Sequence, residues 1–78
     1  PLTREDEMAE FMFLGLRMTR GISKAEFEWQ FGSEIDAIYG DVLRKYKSMG
    51  LLLEEKGRIF LSRDGIHVSN SVMADFLP

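Results

Sequence analysis

The chain has 78 residues, with 13 acidic side chains against 10 basic ones for a net charge of −3, 45% apolar residues and no cysteine. A chain of this size buries only about 60% of the surface its unfolded form exposes, so nearly all its apolar content goes into one core and little remains to wall a cavity. Without cysteine, this chain cannot itself supply a disulfide framework, a thiolate nucleophile, a thiolate zinc site or the ligands of an iron–sulfur cluster, and its stability must come from packing.

In chain order, Thr3 followed by Asp6 resembles a capping box with Asp in place of Glu, and Glu5, Asp6 and Glu7 put negative charge at a helix's positive end, so a first helix is expected from Arg4. Its middle, Phe11-Met12-Phe13-Leu14-Gly15-Leu16, is apolar on more than one side, as in an element covered on two flanks. Gly15 costs about 1 kcal/mol relative to Ala inside a helix and points to close backbone approach by another element. Thr19-Arg20-Gly21 ends the helix.

Ser23 with Glu26 is a capping box that opens a short second helix, with Phe27 and Phe31 one turn apart and Gly32 as its stop. Ser33 and Asp36 start a third, on which Ile35, Ile38, Tyr39, Val42, Leu43, Tyr46 and Met49 step by three and four until Gly50. Leu51 to Glu55 and Arg58 to Leu61 read as strands joined around Lys56-Gly57, where Gly supplies the positive φ of a tight hairpin and Lys is a poorer first turn residue than Asn. Ser62 caps a last helix with Ile66, Ser69, Val72, Met73, Phe76 and Leu77 on one face. The expected fold is a single, mainly α domain with a small β-hairpin, winged-helix-like in the order α-α-α-β-β-α, with the hairpin packed on the helices because alone it is marginal.

No repeat or low-complexity tract occurs, and both prolines are terminal, so no internal linker is expected. The first residue is Pro1 and not Met, which suggests a segment of a longer protein. The longest apolar stretch, Phe11 to Leu16, falls far short of the roughly 20 residues that span a bilayer, and no basic-then-apolar leader precedes it. A cytoplasmic location with no membrane span is the expectation.

Candidate chemistry is sparse. In residues 33–49, Glu34, Asp36 and Asp41 balance Arg44, Lys45 and Lys47, and in the hairpin Glu54 and Glu55 balance Lys56 and Arg58, so no basic excess is offered to phosphate and no nucleic-acid partner is expected. The basic cluster suits the negative end of its helix. His67, the single histidine, reads as a solvated or capping imidazole, with an axial haem ligand as the competing reading; zinc would want four ligands. The five methionines read as packing. Glu54 and Glu55 are adjacent on a strand and point to opposite faces, no base and orienting acid accompany a nucleophile, and the glycines are spread singly, so no catalytic, cofactor-binding or metal residue is assigned.

Three residues stand out as interdomain or pocket-facing candidates. Trp29 falls off the helical stripe and either covers the core edge, the commoner outcome, or anchors a neighbouring domain. Arg17 either meets the terminal carbonyls of its helix or serves an interface, and Asn70 is either solvated or part of one.

The stretch Glu10-Phe11-Met12-Phe13-Leu14-Gly15-Leu16-Arg17-Met18-Thr19-Arg20-Gly21-Ile22 resembles the opening of a known module. Further matches are Phe27 with Phe31-Gly32, Tyr39 with Leu43, Gly50-Leu51-Leu52, Leu61-Ser62-Arg63-Asp64-Gly65, and Ser69-Asn70 before Val72 and Phe76-Leu77. These motifs resemble the C-terminal domain of oxygen-independent coproporphyrinogen III oxidase-like proteins, nearer the haem-chaperone branch. The resemblance implies that residues 1–78 are the C-terminal cap of a longer radical S-adenosylmethionine protein. The parent would then resemble a radical oxidoreductase of coproporphyrinogen dehydrogenase type, active in porphyrin or haem metabolism. It further implies a [4Fe-4S] cluster and S-adenosylmethionine in the parent, with haem a further candidate, a barrel domain of the same chain as partner, and a tetrapyrrole site that the cap covers. None of the family's catalytic or cofactor-binding residues maps onto this chain, and the fragment alone is not expected to be an enzyme. The alternative is a freestanding winged-helix interaction or DNA-binding module of a transcriptional regulator.

Overall fold

Thr3 caps α1 (Arg4–Leu16): its Oγ1 accepts from the Asp6 amide at 3.1 Å, and the Asp6 carboxylate accepts from the Thr3 amide at 3.2 Å. The expected capping box is thus closed in both directions, and two otherwise orphaned N–H groups are satisfied. The structure, a computed structural model, describes residues 2–78; Pro1, the first residue of the expected range 1–78, lies outside them. One side of α1 buries Met8, Ala9, Met12 and Leu16. At Gly15 a Cβ would lie 2.1 Å from Ile22 Cγ2, so the close approach that its position suggested is made by the segment that follows.

That segment is a strand, β1 (Ile22–Ser23), which has no counterpart in the expected order. It pairs antiparallel with β3 (Arg58–Leu61) through Ile22↔Ile59 and Ser23↔Arg58, while β2 (Leu52–Glu55) pairs with the other edge of β3. The sheet therefore has three strands in the order β1-β3-β2. Two residues are too few to show an alternating pattern, and Ser23 also accepts from the Glu26 amide at 3.1 Å as N-cap of α2 (Lys24–Phe31), so its helical role masks its strand role. Covering both edges of β3 leaves Ile59 wholly buried and removes the weakness of a lone hairpin. The run α1-β1-α2-α3-β2-β3, with β1 on the free edge of β3, has the winged-helix arrangement.

Gly32, at φ +72°, closes α2. α3 (Ile35–Ser48) buries Ile35, Gly40, Leu43 and Tyr46 and is kinked at Tyr39 (φ −118°, ψ 17°). Its ring joins an aromatic cluster in which Phe27 lies 5.5 Å from Phe11, 4.8 Å from Phe31 and 6.1 Å from Tyr39, and Tyr39 lies 5.0 Å from Phe76. Such tilted and edge-on pairs add to the burial that joins α1, α2, α3 and the C-terminal segment. Arg4 fastens the start of α1 to the end of α2, donating to the Phe31 carbonyl at 2.7 Å and to Ser33 Oγ at 3.1 Å.

The β2–β3 turn holds Lys56 at φ +51° and Gly57 at φ +77°, the doubly positive geometry of a type I′ hairpin. Beyond it the single last helix of the sequence reading is two: α4 (Arg63–His67) and α5 (Ser69–Ala74), separated at Val68 (φ −118°, ψ 27°). Val72, Met73 and Phe76 are buried as their spacing indicated, whereas Ile66 and Leu77 are 62% and 54% exposed. Gly65 accounts for Ile66. A Cβ there would stand 2.1 Å from the Leu51 carbonyl oxygen, so Gly65 is the α4 position pressed against the start of β2, and the next residue turns outward.

Candidate functional site

Two surfaces treat charge in opposite ways. On the first, Lys24 at the start of α2 meets Asp36 of α3 at 2.8 Å and Glu54 of β2 at 3.1 Å, and Lys47 of α3 also meets Glu54. The hydrogen bond from Lys47 is the main reason the Glu54 carboxyl titrates below its ordinary value; that from Lys24 holds Asp36 low, and Asp36 raises Lys24 in return. Further along α3, Lys45 meets Asp75 at 3.0 Å and the Tyr46 hydroxyl donates to the same carboxylate, which lowers Asp75 and raises Tyr46. Arg44 pairs with Asp41. Each cation of the basic cluster on α3 therefore has a carboxylate partner.

The second surface is the outer side of α1. Glu7, Glu10, Phe11 and Leu14 recur at helical spacing along it and, with Met18 just past its C-terminus, Ile22 of β1 and Glu26 of α2, line an open groove of about 540 Å³. Leu14 and Met18 are 57% and 62% exposed. No Lys or Arg lines this groove, and among the described residues none of its three glutamates takes part in an ion pair. Glu7 and Glu26 sit in the first turns of α1 and α2, where negative charge suits the helix dipole; Glu10 lies a turn further on, beyond that effect.

The three residues singled out by sequence are placed separately. Arg17 is the C-cap of α1; it is exposed and lines a smaller depression of about 290 Å³ with Leu61, Ile66 and Ser69. Asn70 follows Ser69 on α5 and is exposed without lining it, so the chain brings Arg17 and the start of α5 together but leaves Asn70 beside them. Trp29, on α2, is 86% exposed; the core-edge reading fails, because α2 turns Phe27 and Phe31 inward and Trp29 away. Phe11 and Phe13, in the over-apolar middle of α1, are half-buried against the core. The groove residues Glu10, Leu14 and Met18 were not singled out, although the helical spacing of Glu10 and Leu14 on α1 was a legible signal.

His67 ends α4 and shares an apolar-lined depression of about 540 Å³ with Met49 and Val68. The break at Val68 separates His67 from the flank it would have shared with Asn70 on a continuous helix. Of the groups the resemblance implies, a [4Fe-4S] cluster finds no thiolate in this chain, whereas haem would find an imidazole and a thioether, His67 and Met49, on one depression. Among the described residues no three His, Cys, Asp or Glu side chains gather as a metal site, and no helix is long and apolar enough to cross a membrane.

The fold defines a small domain of winged-helix-like build with an open groove along α1. Residues 2–68 match the family described as the HemN C-terminal domain, and the chain belongs to that family. It is similar to the protein named heme chaperone HemW of Bacillus subtilis (strain 168), with 34% identity over 76 residues that cover 97% of this chain and 20% of that protein. The protein of the same name from Lactococcus lactis subsp. lactis (strain IL1403) is 30% identical over 76 residues, with the same coverage of 97% and 20%. The chain thus spans about a fifth of the length of the curated relatives it matches. No solved structure matches it.

Proposed function

We propose that this chain is the C-terminal cap of a HemN-like radical S-adenosylmethionine protein, packing on a barrel domain of the same polypeptide and covering its tetrapyrrole site. The observation that carries the reading is the outer side of α1, where Leu14 and Met18 lie exposed beside Phe11 in a domain that buries fourteen other apolar side chains. An apolar strip lining an open groove suits an interface inside a larger protein. A cap contributes shape and dryness: radical chemistry requires water to be kept out, and a packed lid does this without reactive groups of its own. The cluster and S-adenosylmethionine would reside in the barrel, because this chain has no cysteine. Two measurements test the reading. Sequencing upstream of Pro1 is expected to find a three-cysteine motif, and its absence removes the proposal. In hydrogen exchange, the amides from Phe11 to Met18 are expected to be protected in the full-length protein relative to the isolated domain; equal exchange would place the cap elsewhere.

His67 and Met49, sharing one depression, favour a second, compatible reading in which the domain itself touches haem, the cargo named for its relatives. A haem titration of the domain and of His67→Ala decides it: a lost Soret shift supports the contact, and identical spectra reject His67 as a ligand.

A further inference from the structure

We infer that the depression beside the β2–β3 turn binds a small organic anion carrying at least two carboxylate or phosphate groups, held by Arg20, Lys56 and Arg58. The depression, of about 480 Å³, is lined by these three cations with Thr19, Phe60 and one carboxylate, Glu55. It shares no lining residue with the α1 groove, so the inference stands apart from the docking role. Its cation excess is opposite in sign to the domain as a whole, whose net charge is −3. The fold builds the cluster from distant segments. Gly21, at φ +71°, lays the turn after α1 so closely on β3 that a Cβ there would stand 2.0 Å from the Ile59 carbonyl oxygen, and the neighbouring Arg20 carbonyl accepts from Arg58 Nε at 3.2 Å. Neutralisation within the domain was open to Arg58 and is not taken. Glu55 stands across from Arg58 in the β2–β3 register, yet the two form no ion pair, and Arg58 turns instead toward Arg20. Its Nε is fixed there, while its two terminal nitrogens have no protein partner among the described residues, which is the fork that receives a carboxylate or phosphate. Lys56 points the same way: among the described residues it is the one non-glycine residue at positive φ, +51°, in a turn where Asn is easier, so stability is given up where an ammonium lines the depression. The half-buried Phe60 supplies an apolar wall, which suits an organic anion, and the volume is that of a small-molecule site. A nucleic acid would need a longer basic track, and the cations of α3 are paired.

The test titrates citrate and, separately, fructose 1,6-bisphosphate into the isotope-labelled chain at constant ionic strength, with sodium chloride as the control. Saturable shifts of the Arg20, Lys56 and Arg58 amides are expected; binding of either compound supports the inference, and the tighter of the two names the preferred group. Lys56→Asn separates binding from folding, because it is expected to make the domain more stable and yet to weaken binding about threefold, with Arg20→Gln added to it bringing the loss to about tenfold, as suits exposed charge pairs. Both side chains are exposed, and Arg20→Gln keeps the backbone carbonyl that Arg58 uses, so the fold is retained. Glu55→Gln is expected to tighten binding about twofold by removing the one carboxylate in the depression. Shifts that do not saturate or that chloride reproduces, unchanged affinity in the double variant, or a DNA duplex that binds the same residues more tightly than either compound would each overturn the inference.

Discussion

The outer side of α1 and the face formed by α3, β2 and α5 use the same side chains to opposite ends. On the α3 face Glu54 bridges Lys24 and Lys47, and Asp75 gathers Lys45 and Tyr46, so charges are satisfied within the domain. On the α1 side Glu7, Glu10 and Glu26 surround exposed Leu14 and Met18 and are left without cations among the described residues. The first face fastens distant segments of the chain to one another. The second ties no distant segments together through charge.

The largest expected effect separates the two sides of α1 itself. Met12→Ala, on the buried side, should lower unfolding free energy by about 2–5 kcal/mol, whereas Leu14→Ala on the groove side should change it by no more than about 0.5 kcal/mol, both by chemical denaturation. A large loss at Leu14 would mean that the groove side is core after all. Next comes Gly15→Val, expected to cost about 1–3 kcal/mol in the same assay because its side chain would meet Ile22 within van der Waals distance.

Glu54→Gln tests the paired face, with a loss of about 1 kcal/mol near neutral pH. The folded-state values of Glu54 and Asp36 lie below their ordinary ones, so their contribution is present above the ordinary carboxylate range and is lost as pH falls through the lowered values. Thermal unfolding against pH should therefore show a steeper acid decline for the parent domain than for Glu54→Gln. The same pairing of Arg44, Lys45 and Lys47 predicts that a DNA titration at low salt gives no binding above weak background; tight salt-dependent binding would favour the regulator alternative. The smallest effect belongs to the wing turn, which lies on neither surface: Lys56→Asn should stabilise by roughly 0.5 kcal/mol, since Asn tolerates the positive φ better.

Much of the local architecture was legible. Caps at Thr3, Ser23 and Ser62, stops at Gly32 and Gly50, and the Lys56-Gly57 turn depend on neighbours within four residues, and each stands where its spacing put it. Family membership was legible for a related reason, since the motifs that carry it run in order along the chain. The candidate site was only half legible: the crowding of apolar residues on α1 signalled two covered sides, but not that the partly buried Phe11 and Phe13 would leave the open strip to Leu14 and Met18.

What the amino-acid order settled by itself is therefore the first three helices, the hairpin turn, the absence of thiolate chemistry and the family, because those follow from residue type and near-neighbour contacts. Tertiary structure alone decided the rest. β1 exists because Ile22 and Ser23 fall beside the open edge of β3, and the last helix divides into two at Val68. Which glutamates acquire a lysine depends on segments some thirty residues apart in the chain, such as Lys24 and Glu54. Local propensity carries no information about such meetings, which join segments far apart in the chain.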